Sequence, residues 1–224
     1  QYTISAQGVN DSEIITNTIT VTQNTTANIA FTPKSVFPVT ANITGLNASQ
    51  LGNLQLIFTN LNESGYSYAF NNLNAISLRN GTYAISFSGL DNHPVELEPV
   101  SNLTINGTSV VKTLVFKPAT IWSFNDKAFA STTSIYYKGM LLNGNVTSIT
   151  ASGHLLAKSG ATIQVPVSPG KKVIVSYYYT ANFSIENGLS ITTATNSTSI
   201  VENAEFVYTG TSDGNVNITV GGAT

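Results

Sequence analysis

The residues of this chain best suited to chemistry are asparagines. Asn-x-Ser/Thr triplets begin at Asn10, Asn24, Asn42, Asn47, Asn62, Asn80, Asn102, Asn106, Asn145, Asn182, Asn196 and Asn217. In such a triplet the side-chain amide nitrogen accepts an oligosaccharide, provided the Asn is exposed and the chain passes through a secretory route. The 12 triplets are about twice what chance placement of 25 Asn, 24 Ser and 30 Thr would give. Covalent N-glycans are therefore expected partners. Bulky sugars also shield strand edges from other chains.

Groups for acid–base, nucleophilic or metal chemistry are sparse. The two histidines are scattered: His93 sits in Asp91-Asn92-His93-Pro94, and His154 follows Gly153. A Ser-His-Asp set can be written from 24 serines, but it carries no specificity. Cysteine is absent, so neither disulfides nor thiolate metal sites are available. Asp11-Ser12-Glu13 and Glu96-Leu97-Glu98 lack EF-hand spacing. We expect no catalytic residues, no metal and no cofactor. Tyr177, Tyr178 and Tyr179 could stack on sugar rings, although strand alternation puts only Tyr177 and Tyr179 on one face. A Lys–Asn isopeptide bond could replace disulfides as a covalent staple, with Lys34, Lys112, Lys117, Lys127 and Lys138 as donors among which the sequence does not choose.

Charge narrows the function classes further. Nine Lys plus Arg and 11 Asp plus Glu make 9% of the chain and a net charge of −2, against roughly 25% charged residues in an ordinary domain. No run of basic residues offers a footprint for nucleic acid. No stretch of about 18 apolar residues spans a bilayer, which also excludes the long N-terminal helix of type IV pilins. With few carboxylates to protonate, such a fold should tolerate acid. The chain begins with Gln1 rather than Met, as removal of a secretory signal would leave it, and an extracellular location is expected.

The elements that must carry these residues read as strands. Leu54, Leu56 and Phe58 alternate with Gln55, Ile57 and Thr59, and Tyr83, Ile85 and Phe87 with Ala84, Ser86 and Ser88. Ile163, Val165 and Val167 run into Ser168-Pro169-Gly170, with Val173, Val175, Tyr177 and Tyr179 beyond, which predicts a hairpin. Ile19 to Pro33 and Leu103 to Pro118 form a partial repeat, each a short strand, a turn and a second strand closing on Phe-x-Pro. The predicted fold is all-β: an N-terminal donor strand plus two antiparallel β-sandwich domains. Residues 1–33 form a tail with donor strand and hairpin, 34–118 an immunoglobulin-like sandwich, and 119–224 a jelly-roll-like sandwich. Trp122 is expected to anchor the second core.

Particular residues carry resemblances. Thr44-Gly45-Leu46, Asn80-Gly81-Thr82-Tyr83, Thr104-Ile105-Asn106-Gly107-Thr108 and Phe116-Lys117-Pro118 make the first domain similar to the small immunoglobulin-like or transthyretin-like modules of archaeal extracellular proteins. Gly153-His154, Gly160 to Val167, Val173 to Tyr178, Phe183-Ser184-Ile185 and Tyr208-Thr209-Gly210 make the second resemble a galactose-binding-like jelly roll. Neither likeness implies a chemistry.

The tail sets Tyr2, Ile4 and Ala6 against Thr3, Ser5 and Gln7, and Ile15, Ile19 and Val21 continue the apolar set. Such a segment has strand character and no domain of its own. It either folds onto the adjoining domain or completes the sheet of a neighbouring copy by strand addition. Head-to-tail pairing of the second kind does not close, so it builds a filament. With its sequons, its Cys-free Ser/Thr/Asn-rich strands and its free tail, the chain resembles the subunits of archaeal threads. These are glycosylated extracellular filaments of the order Sulfolobales, joined by donor-strand complementation similar to that of chaperone-usher pilins. The resemblance implies a pilus-like homopolymer serving adhesion or biofilm formation. The alternative is a secreted carbohydrate-binding or surface-layer-associated module.

Overall fold

The computed structural model describes residues 1–6, 11–15, 18–24, 26–178, 181–186, 189–192 and 201–221, with backbone alone for 189–192. The protein is nearly all β, with 53% strand and 3% helix. It divides into two compact units, Gln1–Ser88 with Leu97–Val115, and Gly89–Glu96 with Phe116–Thr224. Residues 1–33 thus group with the first unit, and the segment 89–96 with the second.

In the first unit, the alternation around Leu56 and Tyr83 builds one antiparallel sheet. Gln55–Asn60 lies between Ser67–Phe70 and Gly81–Ser88, and Leu103–Ile105 pairs with the far side of Gly81–Ser88. Leu54, Leu56, Phe58 and Tyr83 are all at most 1% exposed, as their period of two requires. The facing sheet contains Val36–Thr44, paired antiparallel with Ile76–Arg79 and parallel with Val110–Pro118. That parallel pair corrects the expectation of antiparallel strands throughout. It forms because the chain travels through the other sheet before returning, a long crossover that parallel pairing requires. A short helix, Ala48–Asn53, is closed by a capping box between Asn47 and Gln50.

Gly81 shows how closely this unit is fitted. Its φ of +150° and an Asn60 Nδ2 only 2.8 Å from where a Cβ would stand leave room for glycine alone. Asn60 is buried, and its Oδ1 accepts the backbone N–H groups of Asn62 and Glu63 at 2.8 and 3.1 Å.

The second unit holds a six-stranded antiparallel sheet in the order Ser134–Tyr137, Met140–Asn143, Thr162–Val167, Gly214–Val220, Asn182–Ile185, Leu189–Thr192. Two smaller sheets complete it: Ala130–Ser131, Val146–Ile149 and His154–Ala157 in one, Lys172–Tyr178 with Val201–Val207 in the other. Tyr137, Met140, Leu142 and Val146 form one buried cluster, and Val165, Val173, Phe183, Ile185 and Val216 another. Trp122 packs against both and donates its indole N–H to Lys138 O at 3.0 Å, the anchoring role expected of it.

The predicted hairpin at Ser168-Pro169-Gly170 is instead a corner. The turn forms, with Lys171 N–H donating to Ser168 O at 3.2 Å and Gly170 at φ +70°. However, Thr162–Val167 pairs with Met140–Asn143 and Gly214–Val220, whereas Lys172–Tyr178 pairs with Val201–Val207. Val165 and Val173 consequently join one buried cluster from different sheets rather than along a ladder, because stacking two apolar faces buries more than pairing them side by side. The two copies of the partial repeat are not hairpins either. Thr18–Ile19 pairs with Tyr2–Thr3, while Phe31–Pro33 pairs with Ser12–Ile14. In the other copy, Leu103–Ile105 and Val110–Pro118 enter opposite sheets.

Candidate functional site

The N-terminal segment forms two small ribbons outside both sheets of its unit. In the first, Tyr2 stands opposite Ile19 and Thr3 opposite Thr18. In the second, Ser12, Glu13 and Ile14 face Pro33, Thr32 and Phe31, extended at its ends by Ile15 N–H to Ala30 O at 3.0 Å and Lys34 N–H to Asp11 O at 2.9 Å. Ribbons of two or three pairs contribute little stability by themselves. Several apolar side chains of the segment face solvent: Tyr2 is 62% and Ile15 64% exposed, and Val21 and Ala6 are exposed, whereas Ile4 and Ile19 are half-buried. Of the six expected donor-strand residues, the structure brings only Tyr2 and Ile19 together as direct partners.

Asp11 ties this segment to the first unit. Its Oδ1 accepts the Tyr68 hydroxyl at 2.6 Å and lies 3.8 Å from Arg79 Nη1. Burial, and then the bond to Asp11, push the Tyr68 phenol well above its usual pKa, so it remains a donor.

Nine of the ten described sequon asparagines are exposed. Asn24, Asn42, Asn47, Asn62, Asn80, Asn102, Asn106, Asn145 and Asn217 are exposed, Asn182 is half-buried, and Asn10 and Asn196 lie outside the described residues. Three are pre-oriented by their carbonyl oxygens. Asn47 Oδ1 accepts from Gln50 N–H at 2.9 Å, Asn62 Oδ1 from Thr82 N–H at 2.7 Å, and Asn80 Oδ1 from Gly107 N–H at 2.6 Å. Each bond fixes the amide by its oxygen, not by the nitrogen to which a glycan attaches. Asn217 differs, since its Nδ2 donates to Glu186 Oε1 at 3.1 Å. Asn182 is the most confined: its Oδ1 lies 2.4 Å from where a Cβ on Gly221 would stand.

Most of the remaining described candidates are engaged in structure. Tyr177 packs on the second core, edge to face with Phe183 at 5.2 Å, and donates its hydroxyl to Glu202 at 3.1 Å. Tyr178 turns the other way, with its hydroxyl 3.1 Å from His154 Nε2, and Tyr179 lies outside the described residues. His93 is half-buried in the second unit. Lys34, Lys127 and Lys138 pair with Glu63, Asp91 and Asp126 at 2.8, 2.9 and 2.8 Å, Lys117 with Glu96 at 3.5 Å, and Lys112 bonds Ser101. The acid at Asp126 also accepts from the buried Tyr137 hydroxyl. Burial would raise its pKa, but Lys138 and Tyr137 outweigh that and hold it below the usual carboxylate value. Among the described residues no three His, Asp or Glu converge as metal ligands, and no helix is long and apolar enough to cross a membrane.

A feature that sequence reading missed lies in the second unit. Among the described residues its second layer is broken, since His154–Ala157 ends one small sheet and Lys172–Tyr178 ends the other, and no ladder joins them. They meet at the Tyr178–His154 contact, the rings edge to face with centroids 4.7 Å apart. Leu156 and Ile174 remain exposed on these edge strands. Local alternation cannot reveal such a break, because it depends on which strands pair. Comparison with protein-family models, curated proteins and solved structures finds no match to this chain.

Proposed function

We propose that the protein is a structural subunit of a glycosylated extracellular filament, polymerising head-to-tail as the N-terminal segment of one copy enters the next. The observation that carries this reading is the N-terminal segment itself. It presents Tyr2, Ile15 and Val21 to solvent, and its ribbons belong to neither sheet of its unit. Folding leaves this apolar strand material unburied, and burial in another copy would recover it. The broken second layer, with edge strands His154–Ala157 and Lys172–Tyr178, offers a receiving edge in the same chain. Exposed sequon asparagines suit a surface that carries sugar, and sparse charge suits one that must keep its shape in acid. Adhesion or biofilm formation is the role such a filament would serve.

Removal of residues 1–12 tests the reading. The shortened chain should remain a folded monomer, because none of the described residues among 1–12 is buried, and it should form no filaments by electron microscopy. Filaments as abundant as those of the full chain would overturn the proposal.

A further inference from the structure

The second ribbon of the N-terminal segment is fastened to its own unit by charged side chains at one end. Ser12 faces Pro33, so Asp11 and Lys34 stand together there, joined by Lys34 N–H to Asp11 O at 2.9 Å. Each then reaches the unit by its side chain. Lys34 Nζ donates to Glu63 Oε1 at 2.8 Å, while Asp11 Oδ1 accepts the Tyr68 hydroxyl at 2.6 Å and lies 3.8 Å from Arg79 Nη1. Arg79 lies between the two arms: its Nη2 donates to Glu63 Oε2 at 2.8 Å, and its guanidinium stacks on the Tyr66 ring, 3.4 Å from the centroid. At the far end of the ribbon Ile15, Ile29 and Phe31 are exposed.

This attachment is weak by construction. None of residues 11–15 or 31–34 is buried, and a cleft of about 290 Å³ is lined by Asp11, Pro33 and Lys34 from the ribbon and by Tyr66, Tyr68 and Arg79 from the unit. A ribbon seated by apolar packing would fill such a space. The Asp11 side chain is 73% exposed, and hydrogen bonds and ion pairs so open to water contribute little each, so the contact opens reversibly. Opening matters for assembly. A strand entering the broken second layer of another copy meets an edge on each side, His154–Ala157 and Lys172–Tyr178, and pairs with both only if its own two edges are free. In the single chain Ser12–Ile14 has one edge taken by Phe31–Pro33. Lys34 and Glu63 fix the strand that stays, and Asp11 and Tyr68 hold against it the strand that leaves. We infer that the Asp11–Tyr68 bond is an autoinhibitory latch, which keeps the N-terminal segment on its own molecule and must open before that segment enters another copy. The latch presupposes the head-to-tail filament proposed for this chain and sets how fast it forms.

The test compares the full chain with Tyr68→Phe, Asp11→Ala and the double variant. Tyr68→Phe removes the hydroxyl but keeps the ring that packs edge to face on Tyr66, 4.2 Å away, so the urea midpoint of the monomer should not move. Hydrogen exchange of the dilute monomer reads the latch directly, through the Ile15 and Lys34 amides that bond Ala30 O and Asp11 O. Their exchange should quicken roughly three- to tenfold in Tyr68→Phe, the range that one partly exposed hydrogen bond to a charged group commands. Filament growth, followed by light scattering and electron microscopy, should accelerate by a similar factor. The double variant should be no faster than Asp11→Ala alone, because its two substitutions remove the two halves of one bond. Unchanged exchange, faster exchange with filament growth unchanged or slowed, or effects that add in the double variant would each overturn the latch and leave the filament reading standing. Absence of filaments from the parent and all variants, whatever the exchange rates, would overturn both.

Discussion

Replacing Tyr2 and Ile15 together by Ser separates the fold of a single copy from its assembly. In the monomer these side chains are 62% and 64% exposed. Full burial of a side chain of this size contributes about 1.5–3 kcal/mol. Roughly two-thirds of that remains to be gained from a neighbouring copy, about 1–2 kcal/mol per residue or about 2–4 kcal/mol for the pair. At about 1.4 kcal/mol per factor of ten, the critical concentration for filament formation should rise between ~30-fold and several hundredfold. Monomer stability should change by no more than about 0.5 kcal/mol per site, the usual range for exposed positions. Urea unfolding of the monomer and sedimentation of polymer across a concentration series measure the two quantities. A clear fall in the monomer's urea midpoint with an unchanged critical concentration would refute the reasoning, since it would place the segment's apolar burial inside its own molecule.

Gly81→Ala should lower the stability of the first unit by about 1–3 kcal/mol, because the new Cβ meets Asn60 Nδ2 at 2.8 Å on a backbone at φ +150°; urea denaturation followed by tyrosine fluorescence reads it. Leu142→Ala, at a site with no exposure in the second unit, should cost about 2–5 kcal/mol through a cavity, measured in the same way with Trp122 as the reporter. Because the folded pKa of Asp126 lies below its unfolded value, its contribution is present above the ordinary carboxylate pKa of about 3.9 and is lost as pH falls through the folded pKa. Asp126→Asn should therefore be less stable than the parent near neutrality and approach it in strong acid, as the urea midpoint against pH will report; parallel curves would exclude the link. Among glycan sites, Asn42→Gln should remove one glycan from the mass of the native protein, whereas Asn182→Gln, at the confined site, should leave that mass without a glycan-sized loss.

The sequence by itself determined the all-β class and much of the first core. Leu54, Leu56, Phe58 and Tyr83 are buried because period-two alternation is a property of each strand, independent of its partners. It also placed nine of the ten described sequons on the surface, since polar Asn-x-Ser/Thr triplets occupy turns and outward strand positions, as at Asn42 and Thr44 on the exposed face of Val36–Thr44. Which strands pair was decided only by the tertiary structure. The Ser168-Pro169-Gly170 turn carries the same residues whether it closes a hairpin or turns a corner, and burial of Val165 and Val173 in one cluster from different sheets goes with the corner. The parallel pairing of Val36–Thr44 with Val110–Pro118, the broken second layer and the buried guanidinium of Arg79 over Tyr66 likewise join residues distant in sequence. Local chemistry cannot specify such contacts, because their energies exist only once both partners have left water together.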